Sequence, residues 1–222
     1  MITDERKNRL YASIVALEAE HEIENLMGRV IAAFNFRQAE KLLGYFDLDS
    51  PDVSLEIADE GVFQGKTAIQ TFVRETVGLP PKVGEMLDMQ LTTPIIEIAD
   101  DAQSARALWW CPGAGALPRD GELPQAIWAW GMIAADFILT GDEWKVLRLH
   151  YFRLIKCDYH KGWVEDTSMI NRLNTPVHPL AGPTTWHDPY SPLNIRQGIP
   201  APPRPYKTYD GSEWMLEKDK TK

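Results

Sequence analysis

Residues 127–157 constrain the fold more than any other stretch of the chain. They read as two long apolar strands, Ile127–Leu139 and Glu143–Cys157, joined by Thr140-Gly141-Asp142. A short glycine-containing turn between two such runs is a hairpin signal. The second strand begins at Trp144 and carries Arg148 and His150 among Val146, Leu147, Leu149, Tyr151 and Phe152. Ionisable groups on a strand this apolar point to a pocket, because burying a charge is costly unless something uses or pairs it.

The region before the hairpin begins helical. Leu10, Ile14 and Leu17 form one apolar stripe; Ile23, Leu26, Met27, Val30, Ile31 and Phe34 form a cleaner one at helical spacing. Thr3 before Asp4 and Glu5 suits a helix start, where a side-chain oxygen and negative charge meet exposed N–H groups. A short helix follows, with Ala39, Leu42, Leu43 and Phe46 on one side. Asp47–Asp52 contains Pro51 and breaks helix. Val53–Ala58 and Val62–Phe63 are predicted as short strands, and Lys66–Val77 as a further helix ended by Gly78, Pro80 and Pro81.

From Glu85 the apolar period becomes two. Leu87–Ile98 and Gln103–Cys111 are predicted strands, with Asp100-Asp101 as their turn. Pro112–Pro124, with three glycines and three prolines, reads as a long loop, a candidate lid or interface segment. After Trp163 the periodicity collapses. Residues 176–205 hold nine of the sixteen prolines, yet Trp186, Tyr190, Tyr206, Tyr209 and Trp214 are spread through the tail. Disordered tails are normally poor in aromatics. The expected organisation is therefore a domain over 1–163 and an extended C-terminal arm over 164–222. The arm packs on its own domain or on a partner subunit, against the alternative of a mobile linker; only Lys218–Lys222 look frayed.

Three helices, a short strand pair, one more helix and a meander of long strands make an α+β arrangement. Here the chain resembles the SnoaL-like branch of the nuclear transport factor 2 (NTF2-like) superfamily. Asp52-Val53-Ser54 through Gly61–Ile69 is similar to that family's first strand pair and the glycine entering its third helix. Leu91–Ile98 with Ala105-Arg106-Ala107 is similar to its first long hairpin. Gly131, Asp136 and Asp142-Glu143-Trp144-Lys145-Val146 are similar to its last. The likeness covers roughly residues 20–157. It implies a cone-shaped fold with a strongly curved sheet packed on helices, a cavity between them, and often a dimer through the sheet. Members include cofactor-free dehydratases, isomerases and cyclases of hydrophobic ring compounds, and also non-enzymatic modules, so fold does not fix function. The chain departs from the dehydratase pattern: where those enzymes place Tyr and Asp it has Val30 and Asn35, where they place a strand His it has Asp88-Met89-Gln90, and Ile133 replaces an aromatic two residues past Gly131.

The chemistry that remains centres on the closing hairpin. Arg148 and His150 are two apart on a strand and leave the same face, expected to carry Trp144, Val146 and Phe152 as well. Should that face line the cavity, His150 is a candidate acid or base and Arg148 a candidate holder of a carboxylate, enolate or phenolate. The alternatives are a structural ion pair, a solvent face or a dimer interface. Asp136 is the third candidate. A two-residue turn sets it against Leu147, on the other face; a longer loop or a bulge sets it against Arg148, giving a buried pair in which the cation keeps the acid ionised. Trp110, Trp128 and Trp130 are candidate walls for a flat apolar ligand, or core and interface packing, as is Trp109. Tyr45 and Asn35, near the mouth of the cone, and Gln90 are polar ligand-binding candidates.

The net charge of -9 argues against a nucleic-acid surface. No apolar run approaches a membrane span. The charged start Met1–Lys7 is unlike a secretory signal, so a cytoplasmic protein with Cys111 and Cys157 as free thiols is expected. The five histidines have no metal-ligand spacing, and no phosphate-binding glycine motif or serine-nucleophile elbow is present. The expected partner is a hydrophobic small molecule, without cofactor or metal, in a homodimer or higher homo-oligomer through the sheet and C-terminal arm. The sequence supports two functions: a cofactor-free dehydratase- or isomerase-type enzyme working by proton transfer, and a non-catalytic ligand-binding or subunit-assembly module.

Overall fold

A computed structural model describes residues 3–217. The fraying expected at Lys218–Lys222 lies outside these residues. Helix α1 spans Asp4–Asn35, with the Thr3 hydroxyl accepting from the Arg6 amide at 3.3 Å, as its N-cap position requires. Helix α2 (Ala39–Gly44), strands β1 (Ser54–Ile57) and β2 (Gly61–Gln64), and helix α3 (Gly65–Thr76) follow. Then come β3 (Met86–Met89), β4 (Thr92–Ile98), β5 (Ser104–Cys111), β6 (Gly113–Arg119), β7 (Glu122–Thr140), β8 (Glu143–Asp158) and a single turn, α4 (Gly162–Glu165). All eight strands belong to one sheet, in the order β2-β1-β8-β7-β5-β4, with β6 pairing β7 and β3. Among the described residues, β1 and β8 are the one strand pair that runs parallel; the other strand pairs are antiparallel. This helix-plus-curved-sheet architecture is the cone-shaped α+β fold that the sequence implied.

Four local expectations are corrected. The two N-terminal stripes belong to one unbroken helix, because Glu18–Glu22 contains no helix breaker. The strand predicted over Leu87–Ile98 is two strands. Gln90 and Leu91 lie between the two strands, Thr93 has φ 51°, and Pro94 follows. The two parts then take different partners, β6 for β3 and β5 for β4. The Pro112–Pro124 segment is not a loop but β6 and the start of β7. Pro118 falls where the β6–β7 register shifts, a place where a missing ladder N–H is tolerated. The two glycines of β6 permit its tight packing: a Cβ on Gly113 would come within 2.3 Å of the Met89 sulfur.

The fourth correction decides where the candidate residues point. The turn at Gly141-Asp142 pairs Thr140 with Glu143, but the register slips between Asp136 and Phe137, so that Val146 faces Phe137 and Arg148 faces Asp136. Leu147 is the extra residue of a bulge. The alternation along β8 therefore reverses there. Trp144, Val146, Leu149 and Tyr151 join the core beneath the helices, while Phe152 joins a second cluster on the opposite face. Trp144 and Val146 thus do not share the face of Arg148 and His150.

The helix-covered core contains Ile23, Met27, Phe63, Phe72, Trp109 and Phe137. Cys111 and Cys157 are buried free thiols. The outer face of the sheet is met by the chain's own C-terminal residues. There Leu108, Met132, Ala134 and Phe152 pack with Ile199, Trp214 and Met215. Among the described residues, no helix is long and apolar enough to cross a membrane.

Candidate functional site

The space between helices and sheet is packed with apolar side chains, Tyr151 and Cys111 among them. Burial pushes the Tyr151 phenol well up and the Cys111 thiol up to about 12, so neither is poised for chemistry near neutral pH. The ionisable candidates gather instead on the outer face, under the C-terminal residues.

Asp136 is the centre of this cluster and has no exposed surface. Arg148 lies 2.6 Å from its Oδ2, the Trp214 indole N–H donates to Oδ1 at 2.8 Å, and Arg106 Nε stands 3.8 Å from Oδ1. Burial pushes the Asp136 carboxyl up, and Arg148, Trp214 and Arg106 oppose the shift. The bulge thus selects the second of the two registers the sequence allowed, and Asp136 and Arg148 form a buried pair.

Both arginines reach past Asp136 to the C-terminal residues. Arg148 donates to the Ser212 carbonyl at 2.7 Å and to Glu213 at 3.0 Å. Arg106 donates to Asp210 at 2.6 Å and Ser212 Oγ at 2.8 Å, with its guanidinium 4.0 Å from the centre of the Tyr206 ring.

His150 is 3% exposed and stacks on Phe152 with ring centres 3.6 Å apart. The parallel pairing of β1 with β8 places Glu56 beside it. Its Nε2 is 3.3 Å from Glu56 Oε1, yet makes no aligned hydrogen bond. Glu56 accepts from the Thr184 hydroxyl, from the Thr185 amide at 2.6 Å and from the Thr185 hydroxyl at 2.9 Å. Burial holds His150 well below the usual histidine range, with the charge of His187 adding to the effect. Burial pushes Glu56 up against its threonine and backbone donors. A groove of about 260 Å³ runs along this edge, lined in part by Ser54, Glu56, Arg148, His150, Thr185 and Tyr209.

The remaining candidates lie elsewhere. Asn35 clamps β3 to the end of α1: its Nδ2 donates to the Met89 carbonyl at 2.8 Å and its Oδ1 accepts the Met89 amide at 3.1 Å. Gln90 is exposed and bonds to Asp88 at 3.3 Å. Tyr45 is half-buried against the helix-covered core, and its carbonyl accepts from Val146. Trp110 is 45% exposed beneath Arg196. Trp128 stacks on Tyr159, and Trp130 on Trp163. None of these six residues lines the groove at His150.

The sequence assigns no site role to Glu56, Arg106, Thr184 or Thr185, although Arg106 belongs to one of the patches that carry the family likeness. Glu56 carries a weak signal, an acid in the middle of a short apolar strand. The threonines carry none, because their role depends on a contact 128 residues away. Among the described residues, no group of three or more His, Cys, Asp or Glu side chains is arranged to hold a metal ion.

Comparison with known proteins fits this fold. No curated protein matches the chain. Solved structures do. One is a proposed scytalone dehydratase from Novosphingobium aromaticivorans, with a TM-score of 0.55 and 15% identity over 70% of this chain and 97% of that one. Another is a type 2 hexachlorocyclohexane dehydrochlorinase (LinA), with a TM-score of 0.56 and 13% identity over 71% and 99% of the two chains. A third is the type 3 dehydrochlorinase of Novosphingobium barchaimii, with a TM-score of 0.54 and 14% identity over 66% and 93%. At these identities the likeness establishes the fold and not the reaction. The SnoaL-like domain family matches residues 15–150, well over half of the chain, and the protein belongs to that family.

Proposed function

We propose that the protein is a cofactor-free proton-transfer enzyme of lyase or isomerase type, acting on a hydrophobic cyclic small molecule. The observation that carries the proposal is the groove reaching His150, whose Nε2 is buried, unpartnered and 3.3 Å from a carboxylate. A histidine held neutral by burial is a proton acceptor at neutral pH, and Glu56 stabilises the imidazolium that forms. Arg148, at the same groove, offers positive charge to a developing oxyanion or departing anion. The family setting supports this reading, since the similar folds include a proposed dehydratase and dehydrochlorinases, both named for eliminations. Thr185, Tyr209, Gly211, Glu213 and Met215 of the C-terminal part then form one wall of the site rather than a separate module.

A specific observation favours a second reading. Arg148 is engaged by Asp136, Ser212 and Glu213, and Glu56 by Thr184 and Thr185. Charges so fully occupied can serve only to fasten the C-terminal residues, leaving a non-catalytic ligand-binding or assembly module.

Native mass spectrometry of the full chain tests for a retained small molecule. Assay of cyclic alcohols and halides with the wild type and His150→Ala then separates the readings. Elimination lost in His150→Ala supports the enzyme; activity unchanged in that variant removes His150 from the mechanism. A bound ligand with no turnover in either protein supports the module.

A further inference from the structure

Helix α1 carries two apolar stripes, and the fold uses one. Ala19, Ile23, Leu26, Met27, Val30 and Ala33 are buried against the body of the protein. None of residues 4–18 is buried, and Leu10, Tyr11, Ile14 and Leu17 are 49%, 72%, 52% and 64% exposed. Ile14 and Ile23 are nine residues apart, about two and a half helical turns, so they leave opposite sides of the helix. Leu10, Ile14 and Leu17, spaced four and three apart, line that outward side. The domain's own core cannot reach them unless the helix rotates and exposes Ile23 and Met27.

An unsupported helical projection of this length is marginal in water, and its stability normally comes from packing an apolar face. The four-three spacing is that of a helix–helix seam. We propose that Leu10, Ile14 and Leu17 are the surface through which two copies of this chain associate, α1 packing antiparallel on α1 across a two-fold axis.

The charges choose both occupant and direction. Arg6 and Lys7 flank one end of the stripe, Lys7 with Asp4 3.1 Å away; Glu18 and Glu24 flank the other, and all four are exposed. Antiparallel packing with Ile14 near the axis sets the basic end of each copy beside the acidic end of the other, twice by symmetry. Parallel packing would bring like charges together. The contact is separate from the outer face of the sheet, much of which the C-terminal residues already occupy. It is also independent of whether His150 is catalytic. With only three apolar residues a side, the dimer is weak and forms with rising concentration.

Sedimentation and light scattering of the full chain across a micromolar to sub-millimolar series test this, with circular dichroism as a folding control. The wild type is expected to pass from monomer to dimer. Ile14→Lys/Leu17→Lys is expected to weaken association on the order of a hundredfold, with unchanged thermal melting at low concentration because both side chains are exposed in the monomer. Arg6→Glu/Lys7→Glu and Glu18→Lys/Glu24→Lys are each expected to lose self-association and to form a mixed dimer when combined. A wild type that stays monomeric throughout overturns the proposal. So does a dimer indifferent to Ile14→Lys/Leu17→Lys. Charge-reversed variants that each dimerise as the wild type does overturn the antiparallel arrangement.

Discussion

Asp136 and Arg148 face each other because Leu147 is extruded between Val146 and Arg148 as the odd residue of a β-bulge. Without it, Asp136 would oppose Leu147, the acid and the arginine would lie on opposite faces, and the cluster beneath the C-terminal residues would have no centre. The pair is buried, so removing one partner leaves the other uncompensated. Asp136→Ala is expected to cost ~3–5 kcal/mol in urea unfolding. Asp136→Asn keeps a neutral oxygen for the Trp214 indole and is expected to cost clearly less. Equal losses in the two variants would show that charge, and not hydrogen bonding, dominates the site.

Trp214 links that carboxylate to the second apolar cluster, and it is 5% exposed. Trp214→Ala is expected to cost ~3–5 kcal/mol, and Trp214→Phe appreciably less, since most of the ring area is kept and one hydrogen bond is lost. Limited proteolysis reads where the stability goes. In Trp214→Ala, cleavage within residues 184–217 should accelerate before the sheet is attacked. Simultaneous loss of both would show that these residues and the sheet unfold as one unit.

The closing hairpin is legible because its signals are local: a Gly-Asp turn, β-branched and aromatic runs, and a tryptophan two residues past the glycine–aspartate pair. The family follows from the order of three such patches. The bulge at Leu147 is not legible, because no glycine or proline marks it and the slip is settled by what packs on each face. That one residue moved Arg148 and His150 from the implied cavity to the outer face. Pro118 misled in the opposite sense: a proline reads as loop, yet it sits at a register shift inside a strand pair. Asn35 was visible as a polar residue at a family site position, but its bonds to Met89 arise from a strand 54 residues away. The Glu56–Thr185 contact spans 129 residues, so the weak signal of an acid in a short apolar strand could not reveal its partner.

Gly131 is fixed by close approach. A Cβ there would lie 2.3 Å from the Phe152 carbonyl oxygen and 2.7 Å from Cε2 of Tyr151. Because the first obstacle is backbone, the strands must separate to admit a methyl group. Gly131→Ala is expected to destabilise by ~1–3 kcal/mol or more, whereas Gly141→Asn, at a turn with φ 63° and open space, should be nearly neutral. Chemical denaturation of the two variants checks the contrast, and a Gly131→Ala protein as stable as the wild type would show that the β7–β8 spacing yields easily.

Two buried groups beside each other give the fold opposite responses to pH. His150 has its folded-state pKa pushed below the unfolded value of 6.5 by burial and by His187. Its contribution is therefore intact above that value and is lost as pH falls from there through the folded-state pKa. Glu56 is raised by burial above its unfolded 4.5. Its contribution is full below that value and is lost as pH rises through the folded-state pKa. On acidification the imidazole must charge, next to His187 and the Phe152 ring, while Glu56 takes up a proton and offsets part of the cost. Thermal melting should thus fall as pH drops below about 6.5, and the fall should shrink in His150→Gln. It should not vanish there, because His187 is also held below the usual range by burial. Glu56→Gln should act on the other side: it removes the cost of holding a buried carboxylate ionised, so the melting temperature should gain more at alkaline than at acid pH. An acid slope identical in the wild type and His150→Gln would assign the pH response to groups other than this histidine.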